Sequence, residues 1–418
     1  MRVWVVGAGA VGLGVGSSLL AGGAEVDFAV RPGAGGELRR RGLSRTGVLG
    51  EVRFGPGAFR VAALRELDTS APDVVCVCVK TPSSREVASE LSSVLPATAR
   101  PPVVLFQNGW GSAEVFTASL GPRSVYSARV ITGFRRQGPD RVEVTVHAEP
   151  VRIGSLFGAP LAPVEPLAAA LSRGGLPAET TPEVAQDLLA KLLYNAALNP
   201  LGALLGVPYG ELGRDPGTRA VMEAVVEEIF EVLRARGLST RWPDAATYLR
   251  DFYARLLPPT ATHESSMLQD LRAGRPTEVD AISGAVEELG RGAGVAAPVN
   301  AALRVLVHAA EAAASRRTRR AMLRSREEPP PRPPGRVPRP PQGGAPPRGA
   351  PRGCGRRVRV RRGARARASP RASLPARAPG RRRRPRGGAR PPSRARRPGA
   401  AGTPGRGGGR VRLALRPG

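Results

Sequence analysis

One short stretch at the amino terminus restricts the fold more than any other part of the chain. Arg2-Val3-Trp4-Val5-Val6 is an apolar strand that runs directly into Gly7-Ala8-Gly9-Ala10-Val11-Gly12. An apolar helix to about Leu20 follows, and then a second strand from Glu25 to Val30. A GxGxxG pattern alone is weak, but strand, glycine loop, helix and strand in this order begin a doubly wound α/β sheet. Gly7 permits the tight turn, Gly9 lets a pyrophosphate approach the backbone, and Gly12 lets helix and strand pack closely. Ala10 and Val11 open the helix, where amides and the positive dipole end would hold the phosphates.

The end of the second strand discriminates between dinucleotides. A site for NAD usually places an acid there, on the ribose 2′-hydroxyl. This chain has Arg31, nineteen residues after Gly12. An arginine can pair with a 2′-phosphate, so the expected cofactor is NADP(H) rather than NAD(H). Asp27 is the competing acid, but it lies mid-strand. Two further apolar runs end in polar loops. Residues 74–79 end at Lys80-Thr81-Pro82, and residues 103–106 end at Gln107-Asn108-Gly109-Trp110-Gly111. Parallel sheets bind ligands at the carboxyl ends of their strands, which places Lys80 and Asn108 beside cofactor or substrate. Strands near 125–132, 142–146 and 151–153 would extend the sheet and complete a Rossmann-type domain over residues 1–181.

From Pro182 the pattern becomes helical, and a second, all-α domain is expected over residues 182–315. Lys191, Asn195 and Asn199 stand four apart, so they form one polar stripe on an otherwise apolar helix. A buried polar stripe is costly unless hydrogen-bonded. Either it meets another polar element, or it faces a cavity for a polar ligand, and the cavity is the reading preferred here. A second polar cluster runs from His263 to Asp270 and on to Glu278. Thr277 with Asp280 resembles a capping box, which would set Glu278 in a first helical turn where the dipole favours its charged form.

The chain has 64 basic residues, and only Lys80 and Lys191 are lysines. In so arginine-biased a chain, the surviving lysines mark places where a compact cation that can release a proton is needed. The bias also divides the chain. Residues 316–418 hold 33 arginines and two acids, a formal charge of +31, and residues 1–315 carry −1. The tail, mostly Arg, Pro, Gly and Ala, cannot bury enough apolar surface to offset chain entropy and is read as disordered. An arginine-rich arm could bind nucleic acid, but the tail has no aromatic residue for stacking. A frameshift or unselected extension is preferred. Cys76 and Cys78 share a strand face without metal-ligand spacing, so neither a disulfide nor a metal site is implied, and a reducing cytoplasm fits. Residues 1–23 could be taken for a signal peptide, but the glycine pattern argues against it, and no other stretch reaches the length of a membrane span.

Together these residues carry a resemblance. The glycine start, Lys80, Gln107-Asn108-Gly109, Lys191-x3-Asn195-x3-Asn199-Pro200-Leu201, Gly210-Glu211-Leu212, Ser265-Ser266-Met267-Leu268-Gln269-Asp270 and Thr277-Glu278-Val279-Asp280 resemble the ketopantoate reductase (2-dehydropantoate 2-reductase) family. The resemblance covers residues 1 to about 314. It implies a Rossmann domain joined to a helical domain, with the site in the cleft between them. It also implies NADPH-dependent reduction of ketopantoate to pantoate, on the route to pantothenate and coenzyme A. By matching motifs, Lys191 would be the general acid and Glu278 would bind the substrate's hydroxyl end. Ser266 would help hold the carboxylate, and Asn108, Asn195 and Asn199 would position substrate or nicotinamide. Lys80 and Arg31 would favour NADPH. His263 and Tyr209 stand where many relatives carry asparagine, bordering the substrate end. The alternatives are a reductase of a different 2-oxo acid and a non-catalytic NADPH-binding protein with a nucleic-acid arm. An exposed helical domain would suit a homodimer.

The chemistry agrees independently. Hydride delivery to a ketone builds negative charge on oxygen, which a protonated lysine stabilises and then neutralises. A free lysine has a pKa near ~10.4, and partial desolvation would bring it toward working pH.

Overall fold

The computed structural model describes residues 1–67 and 71–327, with side chains through residue 317. Within the unit Met1–Pro329, strand alternation sets two cores against one sheet. The described strands are β1 (Arg2–Val6), β2 (Glu25–Ala29), β3 (Leu43–Gly47), β4 (Val52–Phe54) and β5 (Arg60–Ala62). They continue as β6 (Val74–Val77), β7 (Val103–Leu105), β8 (Val125–Arg136), β9 (Arg141–Gly154) and β10 (Ala178–Thr180). Successive side chains of a strand point to opposite faces. Val3 and Val5 of β1 therefore join Leu13, Leu19 and Phe28 on one side, and Trp4 and Val6 join Val75, Leu91 and Phe116 on the other.

The sheet order is β4-β3-β9-β8-β7-β6-β1-β2-β5, with β10 beside β9. From β5 to β8 every neighbouring pair is parallel. Numbered by appearance, those six strands lie in the 3-2-1-4-5-6 arrangement of dinucleotide-binding folds, with the switch point between β1 and β6. The sequence reading did not anticipate β3, β4, β5 or β10, which are three to five residues long with few apolar positions.

The expected strands at 142–146 and 151–153 are one strand, β9, which pairs antiparallel with β8. Pro150 lies in the gap between the two expected strands, and proline cannot donate to a ladder. The ladder accommodates it with a bulge. Ile131 faces Glu149 and Arg129 faces Arg152, so Val130 alone opposes two residues, one of them Pro150. The Val130 carbonyl accepts instead from Lys191 Nζ at 2.7 Å.

Helices follow at Val184–Leu205, Tyr209–Arg214, Pro216–Ala235, Ala245–Asp251, Ser266–Arg272, Val279–Arg291 and Pro298–Glu327. Their shared core includes Leu192, Leu193, Met222, Ile229, Tyr248 and Val286. Val184–Leu205 is long and apolar enough to cross a membrane, contrary to the sequence reading, yet 72% of its apolar window is buried inside the fold. It is the central core helix. The last helix continues past Ser315, where the folded part was expected to end, because alanine and arginine are good helix formers and no proline intervenes before Pro329. Residues 328–418, most of the basic tail, lie outside the described residues.

The start of that last helix is held by a buried acid. Glu228, 9% exposed, accepts from the amides of Val299 at 2.7 Å and Asn300 at 3.0 Å, and from Asn300 Nδ2 at 2.8 Å. These are donors that a helix start cannot satisfy internally. Glu228→Ala should therefore destabilise the protein by about 3 kcal/mol, the cost of a lost cap plus stranded buried donors. Urea unfolding followed by circular dichroism would measure it, and a change under about 0.5 kcal/mol, the size expected of an ordinary surface substitution, would refute the capping role.

Candidate active site

The glycine loop has the shape that a dinucleotide needs. Gly7 has φ +104°, and a Cβ there would stand 3.0 Å from the Val79 amide nitrogen. A Cβ on Gly12 would lie 1.8 Å from the Gly7 carbonyl oxygen, so strand and helix can meet only through glycine. Gly9 is different: nothing lies within 4 Å of its Cβ position. It caps the helix Ala10–Ala21, leaving open the side from which an anion would approach the amides around Ala10 and Val11. Arg31 lies exposed just beyond β2. Asp27, the competing acid, is only 7% exposed and takes Arg2 Nε at 2.8 Å, so it is engaged inside the sheet.

Three elements bring the catalytic candidates together. Asn108 sits in the loop after β7. Gly109 and Trp110 clamp that loop onto the helix Val279–Arg291: the Trp110 amide donates to Ala281 O at 2.8 Å, and a Cβ on Gly109 would stand 2.1 Å from the same oxygen. Glu278 caps that helix. Lys191 approaches from Val184–Leu205. Lys191 Nζ donates to Asn108 Oδ1 at 2.6 Å, and Asn108 Nδ2 donates to Glu278 Oε2 at 3.0 Å. One carboxamide thus joins a cation to an anion, accepting from the first and donating to the second.

Burial tunes both ends of this chain. It pulls the Lys191 ammonium down to about 8, with the Glu278 charge pulling back up and the Arg129 charge pushing down further. Arg129, 4% exposed, is itself held by Glu149 at 2.6 Å. Burial also raises the Glu278 carboxyl above its ordinary range, opposed by the Asn108 hydrogen bond, Lys80 and the Thr81 amide. This corrects two expectations. Glu278 precedes the first turn as its N-cap, and desolvation outweighs the favourable groups around it. The Thr277–Asp280 capping box is also absent. Thr277 Oγ1 accepts from the Val279 amide at 3.3 Å, and Asp280 Oδ1 turns to Arg304 and His308 at 2.6 and 3.0 Å.

The remaining stripe residues divide. Asn195, 9% exposed, makes no side-chain hydrogen bond among the described residues. Asn199 Oδ1 instead accepts from Tyr209 Oη at 2.6 Å, so part of the stripe meets a polar partner and part does not. His263 is half-buried and packs its ring on Tyr209, with centroids 5.3 Å apart. Ser266 is exposed at the start of its helix, while fully buried Ser265 caps that helix by accepting from the Leu268 amide at 3.0 Å. Lys80 reaches across to Asp270, which also takes Arg275 at 3.1 Å. The sequence offered no signal for the Val130 carbonyl, since any residue carries one. Asp270 was visible in its motif but not as the partner of Lys80. Among the described residues, no group of three or more His, Cys, Asp or Glu is placed to hold a metal ion.

Comparison with known proteins supplies the deciding observation. The model described as ketopantoate reductase PanE/ApbA matches residues 3–158, and its C-terminal counterpart matches residues 183–311. The chain belongs to the ketopantoate reductase family. The 2-dehydropantoate 2-reductase of Aquifex aeolicus is 34% identical over 317 residues, covering 74% of this chain and 97% of that protein. That of Archaeoglobus fulgidus is 31% identical over 317 residues, covering 74% and 98%. Among solved structures, the PanE/ApbA family ketopantoate reductase of Ralstonia eutropha JMP134 is 30% identical, with a TM-score of 0.64 over 75% of this chain and 99% of that one. Family membership thus reaches across both the sheet and the helices, and the part of this chain beyond residue 311 lies outside the family models.

Proposed function

We propose that this protein reduces ketopantoate to pantoate with NADPH, using residues 1–181 chiefly for the cofactor and residues 182–315 chiefly for the substrate. The observation that carries this reading is the Lys191–Asn108–Glu278 chain. An ammonium has three donors. Two are taken by Asn108 Oδ1 and Val130 O, which leaves one for a substrate oxygen. NADPH would supply the hydride. Lys191 stabilises the charge that develops on the ketone oxygen and then protonates it. Its pKa of about 8 keeps it charged at neutral pH yet willing to give up the proton. Glu278 accepts from the substrate hydroxyl, and Asn108 fixes the spacing between the two groups.

The glycine loop fits a dinucleotide because Gly9 leaves the approach to the helix start open. Arg31 supports NADPH over NADH, since Asp27 is sequestered by Arg2 and a guanidinium can pair with the 2′-phosphate. Arg31→Ala is accordingly expected to weaken NADPH binding about tenfold, the worth of a charge-assisted contact, and to leave NADH binding nearly unchanged. Fluorescence titration of both cofactors would measure this; an equal loss for both would remove Arg31 from 2′-phosphate recognition. The reaction itself is tested by following NADPH oxidation with ketopantoate. Tight NADPH binding without turnover would move the reading to another 2-oxo acid, which the aromatic wall of Tyr209 and His263 at the end of the stripe would favour.

A further inference from the structure

The far end of the Lys191 stripe carries an arrangement that the proton transfer does not use. Tyr209, 4% exposed, donates from Oη to Asn199 Oδ1 at 2.6 Å. Its ring is fixed on two sides, edge-on to Tyr194 at 6.0 Å and tilted on His263 at 5.3 Å. Its backbone is fixed as well. The Tyr209 amide donates to His263 O at 3.1 Å, and the Gly210 amide donates to Ala261 O at 2.8 Å. Segment 257–263 is thereby zipped to the helix Tyr209–Arg214.

This locks the orientation of one carboxamide. The Tyr209 hydroxyl has a single proton, and Asn199 Oδ1 is its acceptor. Were the amide flipped, Nδ2 would point at Oη and the phenol proton would be left buried without a partner, which is costly. The edge turned away from Tyr209 is therefore Nδ2. That atom has no protein partner, yet it is not among the polar atoms sealed from solvent. Asn195 stands one turn back on the same helix face without a side-chain partner, and the Ser265 hydroxyl donates to the Asn199 backbone carbonyl at 3.4 Å, with exposed Ser266 next in the chain.

We propose that Tyr209 is a positioning residue that holds Asn199 with its N–H edge toward the ligand, so that this end of the site reads a carboxylate in preference to a carboxamide. The proposal rests on the oxo-acid reading above. A carboxylate only accepts hydrogen bonds and meets a donor on Asn199, whereas a carboxamide turned NH2-first toward Asn199 meets another donor and finds Oδ1 already engaged by Tyr209. Tyr209 touches no reacting atom, so its effect belongs in substrate binding and selectivity rather than in the proton-transfer step.

The test compares wild type with Tyr209→Phe, which keeps the ring and removes only the donor. With NADPH, KM for ketopantoate should rise about tenfold, as for a charge-assisted bond made poorly, with kcat changed little. The preference in kcat/KM for ketopantoate over its amide should narrow, because Asn199 can now flip. An unchanged KM and preference, or a loss confined to kcat, would overturn the proposal. Should Tyr209→Phe fail to fold, Asn199→Asp keeps an acceptor for Tyr209 and replaces the presented N–H with oxygen. It should retain NADPH binding and lose ketopantoate binding; normal ketopantoate binding would overturn the proposal. Binding of oxalate, which carries carboxylates and no amide, to the NADPH complex, read by cofactor fluorescence, separates the two readings. Wild type inactive on ketopantoate would end the ketopantoate assignment, while weaker oxalate binding by Tyr209→Phe would still uphold the role of Tyr209. Equal oxalate binding by both, or none by either, would overturn it.

Discussion

Lys191→Arg is expected to fold, to bind NADPH like wild type, and to lose about 10²–10⁴-fold in kcat for ketopantoate, the range spanned by a positioned general acid. The substitution keeps the charge, so it separates charge from proton transfer. Arginine is too weak an acid to give a proton to an alkoxide at neutral pH, and its planar fork cannot reproduce the tight pair of contacts that Lys191 Nζ makes, 2.6 Å to Asn108 Oδ1 and 2.7 Å to Val130 O. The site supplies its own reason for lysine. The bulge at Pro150 frees a carbonyl, Asn108 supplies a second acceptor, and burial brings the ammonium to about 8. Steady-state kinetics beside a fluorescence titration with NADPH would check both halves. Turnover within about tenfold of wild type, well short of the loss expected of a missing general acid, would remove Lys191 from the acid role, whatever happened to KM.

How much of this was legible beforehand depended on the kind of signal. The glycine loop, the four-residue spacing of Lys191, Asn195 and Asn199, and the polar loops after β6 and β7 are local patterns, and each places its residues at the switch-point edge or along one helix face. The short strands β3, β4, β5 and β10 carry too few apolar positions for periodicity to register, and the sheet builds them through long-range pairing. The expected strands at 142–146 and 151–153 are one strand in spite of Pro150, and for a specific reason. Proline argues against a central ladder position, but a bulge removes the demand for its missing amide. Glu278 misled for another. Its place at a helix start suggested a carboxyl whose charged form the dipole favours, whereas packing against the loop after β7 desolvates it and raises its pKa. Burial of that kind is a property of the assembled fold, and no window of sequence around Glu278 contains it.

Glu278→Gln follows from that same burial and is the second large effect. The amide keeps an oxygen for Asn108 Nδ2 but loses the charge that receives the substrate hydroxyl and supports the Lys191 ammonium. kcat/KM for ketopantoate at pH 7 should fall about 100-fold, as expected when a charged hydrogen-bonding partner in a dry site becomes neutral. The pH profile carries the sharper sign. In wild type, reduction should decline above about pH 8 as Lys191 loses its proton. It should also decline on the acid side as Glu278 takes one up, at a pH above the ordinary carboxylate range because burial raises it. The Glu278 charge favours the protonated lysine, so its removal lets the Lys191 pKa fall further. The alkaline limb should then move to lower pH, and the acid limb should vanish. Both shifts come from one substitution in opposite parts of the profile, which a general loss of folding would not produce. An alkaline limb that stays in place would mean that Glu278 does not act on Lys191 through its charge, and the chain through Asn108 would then be a scaffold rather than an electrostatic couple.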